Sequence, residues 1–295
     1  MPVFETADSL GSQANEDIAA YLTDIGDLAG AQDFIGANVA GQGGIFATRP
    51  WKHAGSKFGY IQQTPLHANG LLSIQNASAI QADNALIGQS IKITLDHFYV
   101  SSYPGHGNHK VLFDFAGKSQ IDHELEDVRH PLNISVNDEA HANVGGAAIF
   151  VGLNVDPNGL AFEGRTINIE SDYDQQVLDT FESNLFKAGL KIANTAKPVL
   201  KPYTALTVAA ITAIAGRSKN RQVHSFNLGL DFSNNATANK LRLGSYLVVQ
   251  TDDPINLNNF QWNQATASLQ HVNGPNTPIE FNYIVIGVSS FQAAP

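Results

Sequence analysis

Apolar side chains recur at every second position through much of the chain, and a two-residue period is the mark of a strand with one buried face. In IKITLDHFYV (91–100) this puts Ile91, Ile93, Leu95, His97 and Tyr99 on one face. KVLFDFA groups Val111, Phe113 and Phe115. SFNLGLDFS groups Phe226, Leu228, Leu230 and Phe232, opposite Asn227, Gly229 and Asp231. The runs NISV, AIFVGLNV, LAFEG, TINIES and SYLVVQ follow at short intervals. IEFNYIVIGVSSF is apolar on both faces, which predicts a central strand covered on each side. The clearest turn is VDPNG, where Pro157 pre-sets its φ angle and Asn158-Gly159 are expected to supply positive φ. Short alternating strands between turn residues make the fold mainly β: an antiparallel β-sandwich of jelly-roll-like pattern.

Two regions break the pattern. Residues 1–42 read as an N-terminal arm, with Asn15 capping a short helix that carries Ile18, Tyr21, Leu22 and Ile25 on one face. Gly26, Gly30, Gly36, Gly41, Gly43 and Gly44 forbid a long helix there. The arm is expected to wrap on its own domain, with exchange between subunits as the alternative. Residues 43–295 form the β domain, with a helical hairpin inserted at about 174–217. Asp172 and Gln175 suggest a capping box, and Val177, Leu178, Phe181, Leu185, Ala188 and Ile192 give a helical stripe. Lys197-Pro198 is expected to end that helix. Pro202 opens a second, YTALTVAAITAIAG, which Gly216 closes; it is apolar nearly all round and therefore predicted to be buried.

Composition excludes several functions. A net charge of −10 with 17 Lys plus Arg leaves no basic footprint for nucleic acid. The run Arg217, Lys219, Arg221 reads as a solvated helix end. There are no cysteines, hence no disulfides, thiolate nucleophiles or Cys-type zinc sites. No signal peptide or membrane span is visible, so cytoplasmic synthesis is expected, and the sequons at Asn76, Asn133 and Asn235 read as incidental. FAGKS lacks the first glycine of a phosphate loop, GQGGIF lacks the third glycine of a dinucleotide fingerprint, and no G-x-S-x-G elbow exists.

The densest chemistry is DHELEDVRHPLNISVNDEAH (122–141). As a helix over 121–130, it would set Ile121, Leu125 and Val128 on one face and His123, Glu126, Asp127 and His130 on the other. Imidazoles and carboxylates together suit zinc or another divalent ion, with Asp138, Glu139 and His141 completing a shell. Histidines seven apart on a helix stand about 10.5 Å apart, too far for one ion unaided, so a solvated polar face is the competing reading. YPGHGNHK (103–110) adds His106 and His109 in what reads as a hairpin loop, with His97 nearby. NVDPNG resembles the start of a calcium loop, but Arg165 stands where the twelfth-position Glu belongs. Asp172, Asp174, Asp231, Asp252 and Asp253 are a second candidate calcium set, should they meet at one end of the sandwich.

Charged residues are 15%, below the usual quarter or so, and amides and hydroxyls carry the polar surface. The expectation is a non-enzymatic protein, structural or binding, that acts through its surfaces and assembles as a homo-oligomer or shell. A zinc- or calcium-dependent binding or hydrolytic module built on His97, His106, His109, His123, Glu126, Asp127, His130 and His141 is the first alternative. Membrane contact through the 174–217 helices is the second.

Overall fold

Where the sequence alternates, the chain is extended. The computed structural model describes residues 3–36, 49–63, 70–121, 124–171, 174, 178, 189–192 and 197–292. The arm forms α1 (Asn15–Asp24) and α2 (Leu28–Gly36). Then come β1 (Ser56–Gln62), β2 (Leu71–Asn76), β3 (Ser90–Val100), β4 (Asn108–Ile121), β5 (Glu124–Asn137), β6 (Ala140–His141), β7 (Ala147–Asn154), β8 (Phe162–Asn168) and β9 (Leu190–Lys191). After α3 (Lys197–Ala215) follow β10 (Arg221–Asn227), β11 (Leu230–Asp231), β12 (Asn239–Lys240), β13 (Gly244–Gln250), β14 (Phe260–Asn263), β15 (Ser268–His271) and β16 (Tyr283–Ser290). The protein is mainly β.

The larger sheet runs β15-β14-β2-β1-β13-β16-β3-β7-β9, with β6 also on β3; the smaller runs β10-β8-β4-β5. The larger is mixed, because β9 joins β7 in parallel while the neighbouring pairs are antiparallel. The two sheets share one core. Phe98 of β3 meets Phe113 of β4 edge-on at 4.9 Å, and Phe150 of β7 meets Phe162 of β8 at 6.1 Å. β16 lies in the interior of the large sheet with six successive residues buried, as its two-faced apolarity requires.

The large sheet is apolar on its other face too. Tyr246 and Val248 face the shared core, while Leu247 and Val249 face a second one with Ile61, Ile74, Tyr283 and Val285. That second core is closed by the sheet itself. β14 and β3 are five ladders apart, about 24 Å in a flat sheet at ~4.8 Å each. Yet Trp262 of β14 and His97 of β3 have ring centroids 5.5 Å apart. The β2-β14-β15 edge has therefore rolled over the outer face of β1-β13-β16-β3, and the Tyr283 hydroxyl accepts from Leu269 N of β15 at 3.0 Å.

The outer face of the small sheet has two covers. Toward one end, Ile211 and Ile214 of α3 pack with Leu178 on Leu112, Ile167 and Ile169. Elsewhere the arm lies on a charged patch. Asp114, fully buried, accepts from Arg129 Nε at 3.0 Å and Arg165 Nε at 3.0 Å. Both guanidinium carbons stand 4.8 Å from the ring of Phe4, and Glu163 accepts from Val3 N at 2.7 Å.

Several local expectations are corrected. Residues 124–130 are strand, not helix: β4 and β5 pair from Asn108↔Asn137 to Ile121↔Glu124. Pro131 sits inside β5, an edge strand, where a missing donor is tolerated. Loop 103–107 is not a hairpin, since β3 and β4 belong to different sheets. Asn15 is the first helical residue rather than the cap, which is Ala14, and a second arm helix follows. Lys197-Pro198 begins α3 instead of ending its predecessor, which suits proline in a first turn. Ile192 ends an extended run and donates to Val151 O. α3 is buried on one face only: Thr207, Ile211 and Ile214 are covered, while Leu206 is 56% and Val208 37% exposed. Only Gly159 of the Asp156–Gly159 turn has positive φ, and a Cβ there would strike Leu230 O. Two sequons are turn formers: Asn76 Oδ1 accepts from Ser78 N and Asn235 Oδ1 from Thr237 N. Gly41, Gly43, Gly44, Asp172, Gln175, Val177, Phe181, Leu185 and Ala188 lie outside the described residues.

Removing the Asp114 charge leaves two guanidiniums facing each other with little water. Asp114→Asn is expected to cost about 3–5 kcal/mol in urea unfolding, the range for breaking a buried pair. A loss under about 1 kcal/mol would mean the network does not hold the arm.

Candidate functional site

The structure scatters most of the predicted metal ligands. His106 pairs with Asp27 at 2.9 Å, and the same carboxylate accepts from Gly30 N to cap α2. His109 is buried, 3.1 Å from Asp138 and against Tyr103. His130 lies on the β5 face that carries Val128 and Leu132 into the shared core, and burial lowers its pKa to about 3. Asp127 is exposed on the same strand, Glu126 has no described side chain, and His123 lies outside the described residues. Besides His109 with Asp138, the described candidates that come together are His97 and His141, with ring nitrogens 2.7 Å apart. Burial, then the neighbouring His141, lowers the His97 pKa to about 4, so the pair is neutral near pH 7. Among the described residues no group of three or more His, Asp or Glu is placed to hold a metal. The second calcium set does not meet either. Asp174 binds Asn220 and Arg217, Asp231 binds Lys240, and Asp252 accepts from Ala54 N and Gly55 N.

His97 reaches its place through a β-bulge. β16 pairs Ile286 with Leu95 but Val285 with His97, so Asp96 is the extra residue. The extra residue reverses the alternation. Ile91, Ile93 and Leu95 face the shared core, as predicted; beyond the bulge Phe98 and Val100 take that face. Tyr99 turns to the second core and His97 with it, stacked on Tyr283 at 5.6 Å. The single predicted face of β3 is thus two faces joined at Asp96.

Asp96 opens into a cleft of about 460 Å³ at one end of the rolled sheet. That volume falls in the range of ~300–1,000 Å³ usual for small-ligand sites. Thr94 Oγ1 donates to Asp96 Oδ1 at 2.6 Å. Gly287 lies opposite Thr94, and a Cβ there would collide with both side chains, so this glycine is what lets the carboxylate fit. Burial raises the Asp96 pKa, offset in part by hydrogen bonds from Thr94 and Ser245. Trp262 lines the cleft and is held edge-on by His97 at 84°.

A larger cleft of about 1050 Å³ opens at the opposite end, between Tyr99, Glu139, Phe260, His271 and Phe281. Tyr99, which lines this cleft, touches His141 at 4.8 Å and Tyr283 at 5.2 Å, and His97 links these rings to Trp262 of the smaller cleft. A Ser–His pair also exists, Ser56 Oγ to His224 Nε2 at 2.9 Å. Ser56 lines neither cleft; the contact ties β1 of the large sheet to β10 of the small one.

No protein-family model, curated protein or solved structure matches the chain. No helix among the described residues is long and apolar enough to cross a membrane.

Asp96, Thr94, Trp262 and Gly287 escaped the sequence reading. Two signals point to them: Asp is depleted in strands, and Asp96 interrupts an apolar run; glycine inside a covered strand marks a bulge or a close approach.

A raised carboxyl pKa means that the folded state binds the proton more tightly than the unfolded chain. Stability is then lost as pH rises from the ordinary Asp range through the raised folded value, about 1.4 kcal/mol per unit of difference. Asp96→Asn is therefore expected to melt higher than wild type at neutral pH, with the gap closing in acid. An equal or lower melting temperature at pH 7 would contradict this.

Proposed function

We propose that the protein is a non-enzymatic binding protein that carries a small polar ligand in the cleft beside Asp96. The observation that carries this reading is the conjunction at one bulge: a half-buried carboxylate, a glycine that makes room for it, and an indole fixed by a histidine. Bulges and destabilised carboxylates collect at functional sites. We read the scaffold as a sandwich of jelly-roll-like pattern, antiparallel apart from the parallel β7–β9 pair; the phenylalanine contacts between β3 and β4 and between β7 and β8 support the packing of one sheet on the other.

A thermal-shift screen of the whole chain against a small-molecule library tests the reading. A true ligand at 100 Kd stabilises the fold by about 2.7 kcal/mol. That stabilisation is expected in wild type and lost in Trp262→Ala. If no compound stabilises, or if the shift survives the substitution, the cleft is not the site.

A second reading, self-association into a homo-oligomer, is favoured by the apolar residues that α3 leaves exposed, Leu206 and Val208. Light scattering is expected to show an oligomer that Leu206→Glu dissociates. A monodisperse monomer at high concentration removes this reading. Among the described residues the zinc or calcium alternative draws on the His97–His141 pair and needs further ligands. The membrane alternative needs α3 to leave Leu112 and Ile167, and nothing in its packing favours that.

A further inference from the structure

The ligand class follows from the lining of the smaller cleft, on the reading that this cleft binds a ligand. Charge comes first. Among its described lining residues the charged ones are Asp96 and Lys92, one of each sign. A phosphate or carboxylate ligand calls for an excess of cations or convergent N–H groups. An amine calls for the reverse.

Polarity comes second. An apolar ligand calls for a predominantly hydrophobic wall. Here Gln62, Gln63 and Gln264 supply amides, while Thr94, Ser245 and Ser289 supply hydroxyls. Each of these groups both donates and accepts. They match a ligand whose own groups do both, which is the property of an alcohol. The carboxylate adds an acceptor, already engaged by the hydroxyls of Thr94 and Ser245.

Shape comes third. Trp262 brings a flat apolar surface to a cleft whose other apolar lining is the aliphatic Ile61, Leu72 and Val288, and its ring meets His97 edge-on. A ring with one C–H face and a rim of hydroxyls satisfies both at once. Of the lining glycines, Gly146 has its side-chain position open, so a ring can approach the backbone there; the space beside Gly287 is taken by Asp96 and Thr94.

We propose that this cleft binds a neutral sugar ring, stacked on Trp262, with its hydroxyls bonded by Asp96 and the glutamine amides. The binding balances no net charge, so raising salt from low to physiological is expected to leave affinity within about twofold.

The test is a titration of the full chain followed by the indole N–H signals in NMR. The chain has two tryptophans, and Trp51 is fully buried elsewhere in the core, so the signals separate. The probes are glucose, galactose, mannose and their disaccharides, set beside glucose 6-phosphate, glucosamine, free amino acids and nucleotides. A neutral sugar is expected to move the Trp262 signal and leave Trp51 in place. Trp262→Ala should weaken binding tenfold or more, Trp262→Phe less, and Gln264→Ala by a few-fold. Should Trp262→Ala fail to fold, the Phe and Gln264 variants carry the test. If amino acids or nucleotides shift Trp262 and neutral sugars do not, the sugar class is wrong while the binding reading stands. If no class moves it, both fall. A sugar response unchanged in Trp262→Phe and Gln264→Ala also overturns the proposal, because the ligand would then sit elsewhere.

Discussion

The middle strands of the large sheet are apolar on both faces, and each face must be taken out of water. β13 and β16 alternate without interruption between two cores, so neither can be a sheet edge and neither face can be left wet. One face receives the small sheet. The other has no second sheet to receive it, and the chain solves this by rolling its own β2-β14-β15 edge over the top. A rolled sheet needs twist and local irregularity, and its ends do not close as tightly as its middle. The two clefts are those ends. The fold therefore produces cavities as a consequence of covering an apolar face.

The bulge in β3 converts one of those ends into chemistry. Without it, strict alternation would carry the Leu95 face on to His97 and Tyr99, and both would point into the shared core. One added residue sends them outward, where His97 meets Trp262 edge-on and pairs with His141. The same residue leaves a carboxylate half-buried, a violation of what a strand interior wants. Sites that break local rules against stability are where function is expected, since nothing in folding rewards them.

Strand content was legible because burial imposes a period that simple inspection detects. Ile91, Ile93, Leu95, Val111, Phe113, Phe115, Phe226 and the final strand lie where alternation puts them. The opening of β5 was misread because Ile121, Leu125 and Val128 also fit a helical spacing, and a segment of that length does not separate the two periods. What decides it is the partner: β4 pairs along the whole segment, and pairing is a long-range fact. The site was hidden for the same reason. Asp96, Trp262 and Gly287 are far apart in sequence and meet only through the roll and the ladder between β3 and β16. The histidine cluster had the opposite fault, since nearness in sequence did not become nearness in space. Alternation sent His130 inward, the bulge sent His97 outward, and the crossing loop took His106 to Asp27.

The arm shows how a charged patch can serve as an adhesive. The outer face of the small sheet is apolar beneath α3, and there packing alone suffices. Beneath the arm it carries Asp114, Arg129 and Arg165, groups that are costly to bury unless mutually satisfied. Phe4 supplies the missing half of that arrangement: its ring caps both guanidiniums and keeps water from them. In turn the cations give the ring an orientation that an aliphatic surface would not. The contact is specific because both sides are incomplete alone. Glu163 adds direction by taking the backbone N–H of Val3, and Gln222 extends the attachment by donating to Glu5 O and Ser9 Oγ. A segment with few apolar residues is thus fixed at defined positions along its length, with hydrogen bonds setting the register that hydrophobic area alone would leave free.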